Sequence, residues 1–259
     1  MQKFDLGIIF LSRLGDMVQL SVLLKNLENL SKRIQVLLIC FKQDYEMLHF
    51  LLKVDQVYTL DKNDINIPNF IEFCQNTTFN CAVNLSFSPL SGTLLHWVQS
   101  FSKLGPSQNK QIQIPDLYSQ YIYSSVMEGP LNPFHLMDLF AKIIGIQLDH
   151  SHLSQDVFHL SPIIIISTQT SNLKKQWKEI QWIEFIYHLL HNNPTHQIYF
   201  AGSSQDFSTY ENISQHELLK NLRSRIILDY IGMDLQNWIP IFHSYPLFIG
   251  HDSFFFTFC

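Results

Sequence analysis

Ser12, Arg13, Gly15 and Asp16 stand in a turn between an apolar run at 6–10 and an apolar-periodic segment at 17–30. The run reads as a buried strand and the periodic segment as a helix. The turn therefore lies where open α/β sheets bind ligands, at the carboxyl end of a strand and against the unpaired N–H groups of a helix start. Asp16 has two readings there: it caps the helix, as Asp commonly does, or it carries a chemical role. Three more segments have the same placement. After the apolar run 163–166 come Thr170, Ser171, Lys174 and Lys175, hydroxyls and a point charge that suit an anion cradle or an ordinary polar loop. Gly202 to Asp206 follows a third strand, and Asp206 suits either a ribose contact or a helix cap. The segment Gly250-His251-Asp252-Ser253 offers a hydroxyl and backbone amides to phosphate oxygens, or forms a plain turn.

The elements that must position these loops follow a β-α rhythm. Strands are expected at 3–10, 34–40, 56–60 and 81–85, with helices at 17–31, 43–52, 69–75 and 89–103. The run 34–40 is almost wholly apolar, as in a parallel strand covered on both faces. A short strand at 111–114 and a helix at 117–127 follow, and a further helix opens at Asn132-Pro133 and stops at Gly145. Residues 147–161 are polar and rich in histidine; without fixed geometry they read as a linker rather than a metal site. The rhythm then restarts, with strands at 162–167, 196–201, 225–228 and 245–250 and helices at 179–191, 212–222 and 234–243. The fold class is α/β: two doubly wound domains in tandem with a cleft between them.

Composition narrows the function. Of 259 residues 46% are hydrophobic and 15% charged, which supplies a substantial core. The net charge of −5 disfavours nucleic-acid binding through phosphate neutralisation. No window approaches the apolar length of a spanning helix. The spacing of Cys40, Cys74, Cys81 and Cys259 fits neither a zinc site nor a disulfide framework, so a reducing, cytoplasmic setting is expected. With nine glycines, and no GxGxxG or GxxxxGKS/T, Gly-rich phosphate loops are excluded.

Taken together, the loops resemble glycosyltransferase family 9, the ADP-heptose:lipopolysaccharide heptosyltransferases. "FLSRLGDMVQLSVLLKNL" looks like the family's opening block, and "FNCAVNLSFSPLSGTLLHWVQSF" is similar to its FD-A-(I/V)-(N/D)-L strand and following helix. "NPFHLMDLFAKIIGI" looks like the helix before the linker, and "LKKQWKEIQWIEFIYHLL" matches the Lys-x-Trp-x-x-x-x-Trp segment. "IYFAGSSQD" and "SYPLFIGHDS" resemble the later strand ends. The resemblance covers almost the whole chain. It implies a GT-B-like fold: an acceptor-side Rossmann-like domain at 1–146, a linker at 147–161, and an incomplete nucleotide-sugar domain at 162–259. It implies inverting, metal-independent transfer, with no cofactor and a nucleotide sugar, ADP-heptose, as substrate. Asp16 maps to the general base and Lys175 to the cation that neutralises the leaving diphosphate. Ser12, Arg13 and Gly15 map to the acceptor-side loop. Thr170, Ser171, Asp206, Asp252 and Ser253 map to the donor side. The implied acceptor is a lipid-linked saccharide, which would bring a cytoplasmic protein to the inner face of the inner membrane.

The sequence departs from the family in its last block. Phe254 stands in place of a glycine and Thr257 in place of a histidine, and the family's further strands and helices do not follow. The expectation is a C-terminally truncated member. Two alternatives accompany it: a non-catalytic remnant or binding module of the same fold, and another GT-B enzyme such as a nucleotide-sugar epimerase.

Overall fold

A computed structural model describes residues 1–30, 33–127, 135–149, 162–170, 173–244 and 247–251. The chain separates into two compact units, Met1–Ser154 and Gln155–Cys259.

The first unit is a five-stranded parallel sheet. Its strands are β1 (Gln2–Ile9), β2 (Val36–Phe41), β3 (Gln56–Leu60), β4 (Thr77–Asn84) and β5 (Gln99–Leu104), in the order β3-β2-β1-β4-β5. β1 is central, and its Leu6, Ile8 and Ile9 are buried, as are Val36 to Cys40 of β2. Such two-sided burial requires helices on both faces. One face packs Leu37, Ile39 and Phe79 against α3 (Ile67–Asn76) and α4 (Pro89–Trp97), through Phe70, Cys74, Leu94 and Leu95. Right-handed crossovers put the β1–β2 and β2–β3 connections on the other face. These connections are α1 (Leu14–Glu28) and α2 (Lys42–Leu48). α1 buries Leu20, Leu23, Leu24 and Leu27, each contributing about 1.5–3 kcal/mol. A two-stranded ribbon, β6 (Ser107–Gln108) and β7 (Ile112–Gln113), leads to α5 (Leu117–Met127) and α6 (Leu136–Ile144). α6 is capped by His135 and ended by Gly145 at φ 82°. The expected helix start at Asn132-Pro133 lies outside the described residues.

One expectation is corrected. The helix read over 89–103 stops at Trp97, and the rest forms β5. Val98 adopts extended φ and ψ of −61° and 144°. The chain then pairs in parallel with β4, from Thr78 opposite Gln99 to Val83 opposite Leu104. The exposed edge of β4 supplies hydrogen-bond partners that a longer helix would leave unused.

The second unit repeats the plan with four parallel strands: β8 (Ile163–Ser167), β9 (Gln197–Phe200), β10 (Ile226–Ile227) and β11 (Phe248–Gly250), in the order β10-β9-β8-β11. α7 (Glu179–Asn192) and α8 (Phe207–Gln215) cover one face, burying Trp182, Ile186, Leu190, Tyr210 and Ile213 against Ile164, Ile166 and Phe200. α9 (Leu235–Ser244) covers Ile165 with Trp238 and Phe242. The helix expected over 212–222 is split. α8 ends at Gln215, His216 turns extended with φ −58° and ψ 142°, and 3₁₀ turns run on over Glu217–Arg225. Arg225 closes this side by donating from its guanidinium to the carbonyls of His196 and Leu190, at 2.7 and 3.0 Å.

Candidate active site

Strand order shows where each sheet opens. In the first unit β1, β2 and β3 step one way, and β4 returns to pair on the other side of β1. The helices after β1 and β4 leave on opposite faces, so their strand ends part and a crevice forms between them. A pocket of about 370 Å³ lies there, lined on one side by Leu11, Ser12, Arg13 and Asp16 and on the other by Ser86, Phe87 and Ser88.

The rim is fixed from beneath by Asn84, which is fully buried at the end of β4. Its side-chain amide donates to Pro106 O at 2.7 Å and to Ser91 Oγ at 3.1 Å, and its Oδ1 accepts from Ser86 N at 2.9 Å. Ser86 Oγ then accepts from Leu11 N at 2.7 Å, which ties the β4 loop to the β1 loop across the crevice. Tyr123 of α5 donates its hydroxyl to Asn84 O at 3.2 Å. Burial pushes that phenol well above its ordinary pKa, so it stays a donor. Gly105 passes so close that a Cβ would stand 2.2 Å from Asn84 O, and its φ of +88° is open to glycine. Its N–H is held at 2.9 Å by Asp116, which also caps α5 through Ser119 N.

Asp16 is half-buried in this rim. The residue that caps α1 is Arg13, and Asp16 occupies the third helical position. From there it reaches back, and its Oδ2 accepts from the Ser12 hydroxyl and, at 3.4 Å, from Arg13 N. Both bonds use the same oxygen. Among the described residues Oδ1 accepts no hydrogen bond, and Asp16 lines the pocket. The hydrogen bonds of the turn thus fall on one of the two oxygens of this carboxylate. Ser12 and Asp16 are joined directly, Arg13 is exposed beside them, and Gly15 lies in the same first helical turn.

A larger opening of about 490 Å³ lies near the amino ends of the strands, around Glu28, Arg33, Lys53 and Asp55. Its charges already pair with each other, Arg33 with Asp55 at 3.1 Å and Lys53 with Glu28 at 3.7 Å. Position and pairing both make the smaller pocket the candidate site.

In the second unit the corresponding parting falls between β8 and β11. Ser167 and Thr168 are buried at the end of β8, and Thr170 is half-buried beyond them. Lys174 and Lys175 are exposed on a 3₁₀ turn, Leu173–Lys175. Bonds from Tyr210 and His251 help to hold this loop. Tyr210 accepts from Thr168 N at 3.3 Å while donating to Ala201 O at 2.8 Å, and joins the ends of β8 and β9. At the end of β11, His251 Nε2 accepts from Trp177 N at 3.1 Å. The imidazole packs edge-on to Trp182 with ring centres 5.3 Å apart. Burial lowers its pKa below the ordinary 6.5, which keeps the acceptor nitrogen unprotonated.

Thr170 and Lys175 therefore share one loop, and Asp206 stands on the loop after the neighbouring strand. Asp206 Oδ2 accepts from both Ser203 N and Ser203 Oγ at 2.8 Å, the geometry of a turn cap. Ser171, Asp252 and Ser253 lie outside the described residues, as do Phe254, Thr257 and the histidine-rich stretch from His150 to Asp156. Among the described residues no group of three or more His, Cys, Asp or Glu is placed to hold a metal ion. No described helix is long and apolar enough to cross a membrane. The residues that sequence reasoning missed are Asn84, Phe87, Tyr123 and His251. Asn84, Phe87 and His251 stand within the quoted sequence blocks and Tyr123 in the helix read over 117–127, and the bonds that single out Tyr123 and His251 reach across 39 and 74 positions.

No protein-family model matches the sequence, and no curated protein matches it. Solved structures do match over nearly the full chain. The fold is that of the heptosyltransferases. E. coli heptosyltransferase WaaC with ADP superposes with a TM-score of 0.65, over 98% of this chain and 83% of that one, at 12% identity. The glycosyl transferase family 9 structure from Veillonella parvula gives 0.66, over 98% and 77%, also at 12%. E. coli ADP-heptose lps heptosyltransferase II gives 0.57, over 97% and 80%, at 11%. At such identity the heptosyltransferase likeness establishes the GT-B architecture, and function must be argued from the site.

Proposed function

We propose that the protein is a glycosyltransferase that moves a heptose-type sugar from an ADP-linked donor to a saccharide of the lipopolysaccharide kind, with inversion and without a metal ion. The observation that carries this reading is Asp16: a half-buried carboxylate in a strand-end pocket, with one oxygen used by Ser12 and Arg13 and the other open. In the proposed step Asp16 takes the proton from an acceptor hydroxyl. The acceptor oxygen attacks the anomeric carbon as the bond to the donor phosphate breaks. The diphosphate leaves with both electrons of that bond, its charge offset by Lys175. Ser12 and Arg13 N–H steady the carboxylate and keep Oδ1 directed at the acceptor. Thr170, with Ser171, Asp252 and Ser253 by the family resemblance, holds the donor.

Calorimetric titration with ADP and ADP-heptose, followed by a transfer assay, tests this reading. Donor binding in the micromolar to low millimolar range is expected, with turnover lost in Asp16→Asn and donor affinity unchanged. Absence of binding at millimolar ligand, or turnover retained in Asp16→Asn, overturns it.

A further inference from the structure

His251 is a buried titratable group that the proposed chemistry does not use. β11 delivers it to the loop after β8. Gly250 pairs with Ser167, so closely that a Cβ on Gly250 would stand 2.9 Å from Ser167 O. The next residue therefore meets the turn that bears Lys174 and Lys175. Its Nε2 accepts from Trp177 N at 3.1 Å, across 74 positions. The imidazole lies edge-on to Trp177 and Trp182, with ring centres 6.3 and 5.3 Å apart. Trp182 is buried in the core and backs the ring. One residue before Trp177, Gln176 donates to Gln169 Oε1 at 2.8 Å, a bond within the loop. The His251 bond differs in kind, because it fastens the loop to another strand.

An imidazole whose Nε2 accepts carries its hydrogen on Nδ1. A proton taken from solvent at Nε2 turns the acceptor into a donor and sets two N–H groups against each other. The bond is then lost. The charged and titratable groups on the elements packed against the ring are Lys174, Lys175 and Lys178 of the turn, and Glu179, Glu184, Tyr187, His188 and His191 of α7. β8 and β11 carry none. Burial alone lowers the imidazole pKa below 6.5, so the bonded state holds at neutral pH.

We propose that His251 is a positioning residue that latches the donor loop: while Nε2 accepts from Trp177 N, the turn bearing Lys174 and Lys175 is held at the end of β11, and protonation of Nε2 releases the turn and weakens donor binding. The link to the donor rests on the transferase reading, whereas the latch stands on the bond itself. His251 acts through Trp177 and performs no chemistry. The sign of the effect separates a latch from simple charge, since a protonated imidazole acting only as a cation would tighten diphosphate binding in acid.

The test uses the full chain labelled with ¹⁵N at tryptophan alone. Its four tryptophans give four backbone amides. Trp177→Phe identifies one of them, and Trp238 in α9 is the internal control. Trp177 should lose about tenfold in exchange protection on acidification below pH 6.5, with Trp238 unchanged. His251→Gln, whose Oε1 accepts at every pH, should keep the protection throughout, and His251→Phe should lack it throughout. Calorimetry with ADP-heptose, whose phosphates do not titrate in this range, should show donor affinity falling about tenfold in acid and staying level in His251→Gln. The proposal is overturned by Trp177 protection that ignores pH, by equal loosening of Trp238, by His251→Phe protected like the wild type, or by wild-type donor affinity that stays level or rises in acid. Should a variant fail to fold, the wild-type exchange and affinity profiles decide alone. A responsive Trp177 with no donor bound at any pH would remove the transferase reading and keep the latch. Donor bound and transferred with Trp177 unresponsive would do the reverse.

Discussion

The two units use one strand plan and finish it differently. In the first, the parted strand ends are joined below the surface, by Asn84 and by Ser86 Oγ accepting from Leu11 N, and the carboxylate above them keeps one oxygen open. In the second, the polar groups at the strand ends are mostly engaged by the protein. Tyr210 spans β8 and β9, His251 holds the Trp177 turn, and Asp206 is folded onto Ser203. Thr170 is half-buried and Lys174 and Lys175 are exposed on the loop after β8. The proposed function divides the labour along the same line, with proton transfer assigned to the first unit and anion binding to the second. A base needs an unengaged lone pair in a defined direction, whereas charge neutralisation needs proximity and tolerates a mobile lysine.

The contrast between the carboxylates gives the largest expected effect. Asp16→Asn should lower turnover by about 10²–10⁴-fold, the usual worth of a positioned base, with ADP affinity unchanged. A loss in donor affinity of the same size would assign Asp16 to donor binding instead. Next comes the buried fastening of the first unit. Asn84→Ala strands Pro106 O and Ser86 N and should cost about 1–3 kcal/mol, read as a lower urea midpoint. An unchanged midpoint would mean that the rim is held some other way.

In the second unit, His251 links stability to pH. Its folded pKa lies below the unfolded 6.5, so the unfolded chain binds the proton first. Its contribution is complete above pH 6.5 and is lost as pH falls through the depressed folded value. Tryptophan fluorescence should therefore report a lower urea midpoint on acidification below pH 6.5, with a flatter profile in His251→Phe. Parallel profiles would remove His251 as the cause. The smallest effect is expected at the other carboxylate. Asp206→Asn keeps an oxygen for Ser203 and should change transfer by about twofold or less. A loss comparable to that of Asp16→Asn would erase the contrast between the units.

Much of the architecture was legible in the sequence, because apolar runs bounded by polar turns mark parallel strands wherever both faces are covered. Val36 to Cys40 and Ile163 to Ile166 are such runs. β5 was not legible. Residues 98–104 carry four polar side chains, Gln99, Ser100, Ser102 and Lys103, set in pairs between Val98, Phe101 and Leu104, and continue an apolar helix without a break. Only β4, some twenty residues earlier, makes them a strand. The site was half legible. The place of Asp16 followed from its strand and helix, yet the division between its oxygens depends on Ser12 and on the cap falling at Arg13. Phe87 and Tyr123 gave no local sign, since one follows a strand and the other lies on a helix 36 positions later. Their meeting is enforced by the Asn84–Tyr123 bond. His251 and Trp177 are likewise brought together across 74 positions by the return of β11 to β8.

Phe10 and Phe140, which meet edge to face at 6.3 Å in the wall of the Asp16 pocket, also fix when that pocket comes into being. β1, β2 and β3 pair in order as the chain is made, but Phe140 arrives only with α6. A nascent chain that has completed the first three strands has a hydrophobic sheet and no binding site. Phe10 then waits uncovered for Phe140, a partner that is still to be synthesised. The same long-range closure that completes the pocket in the finished protein is thus the step at which an unfinished one is most exposed to aggregation.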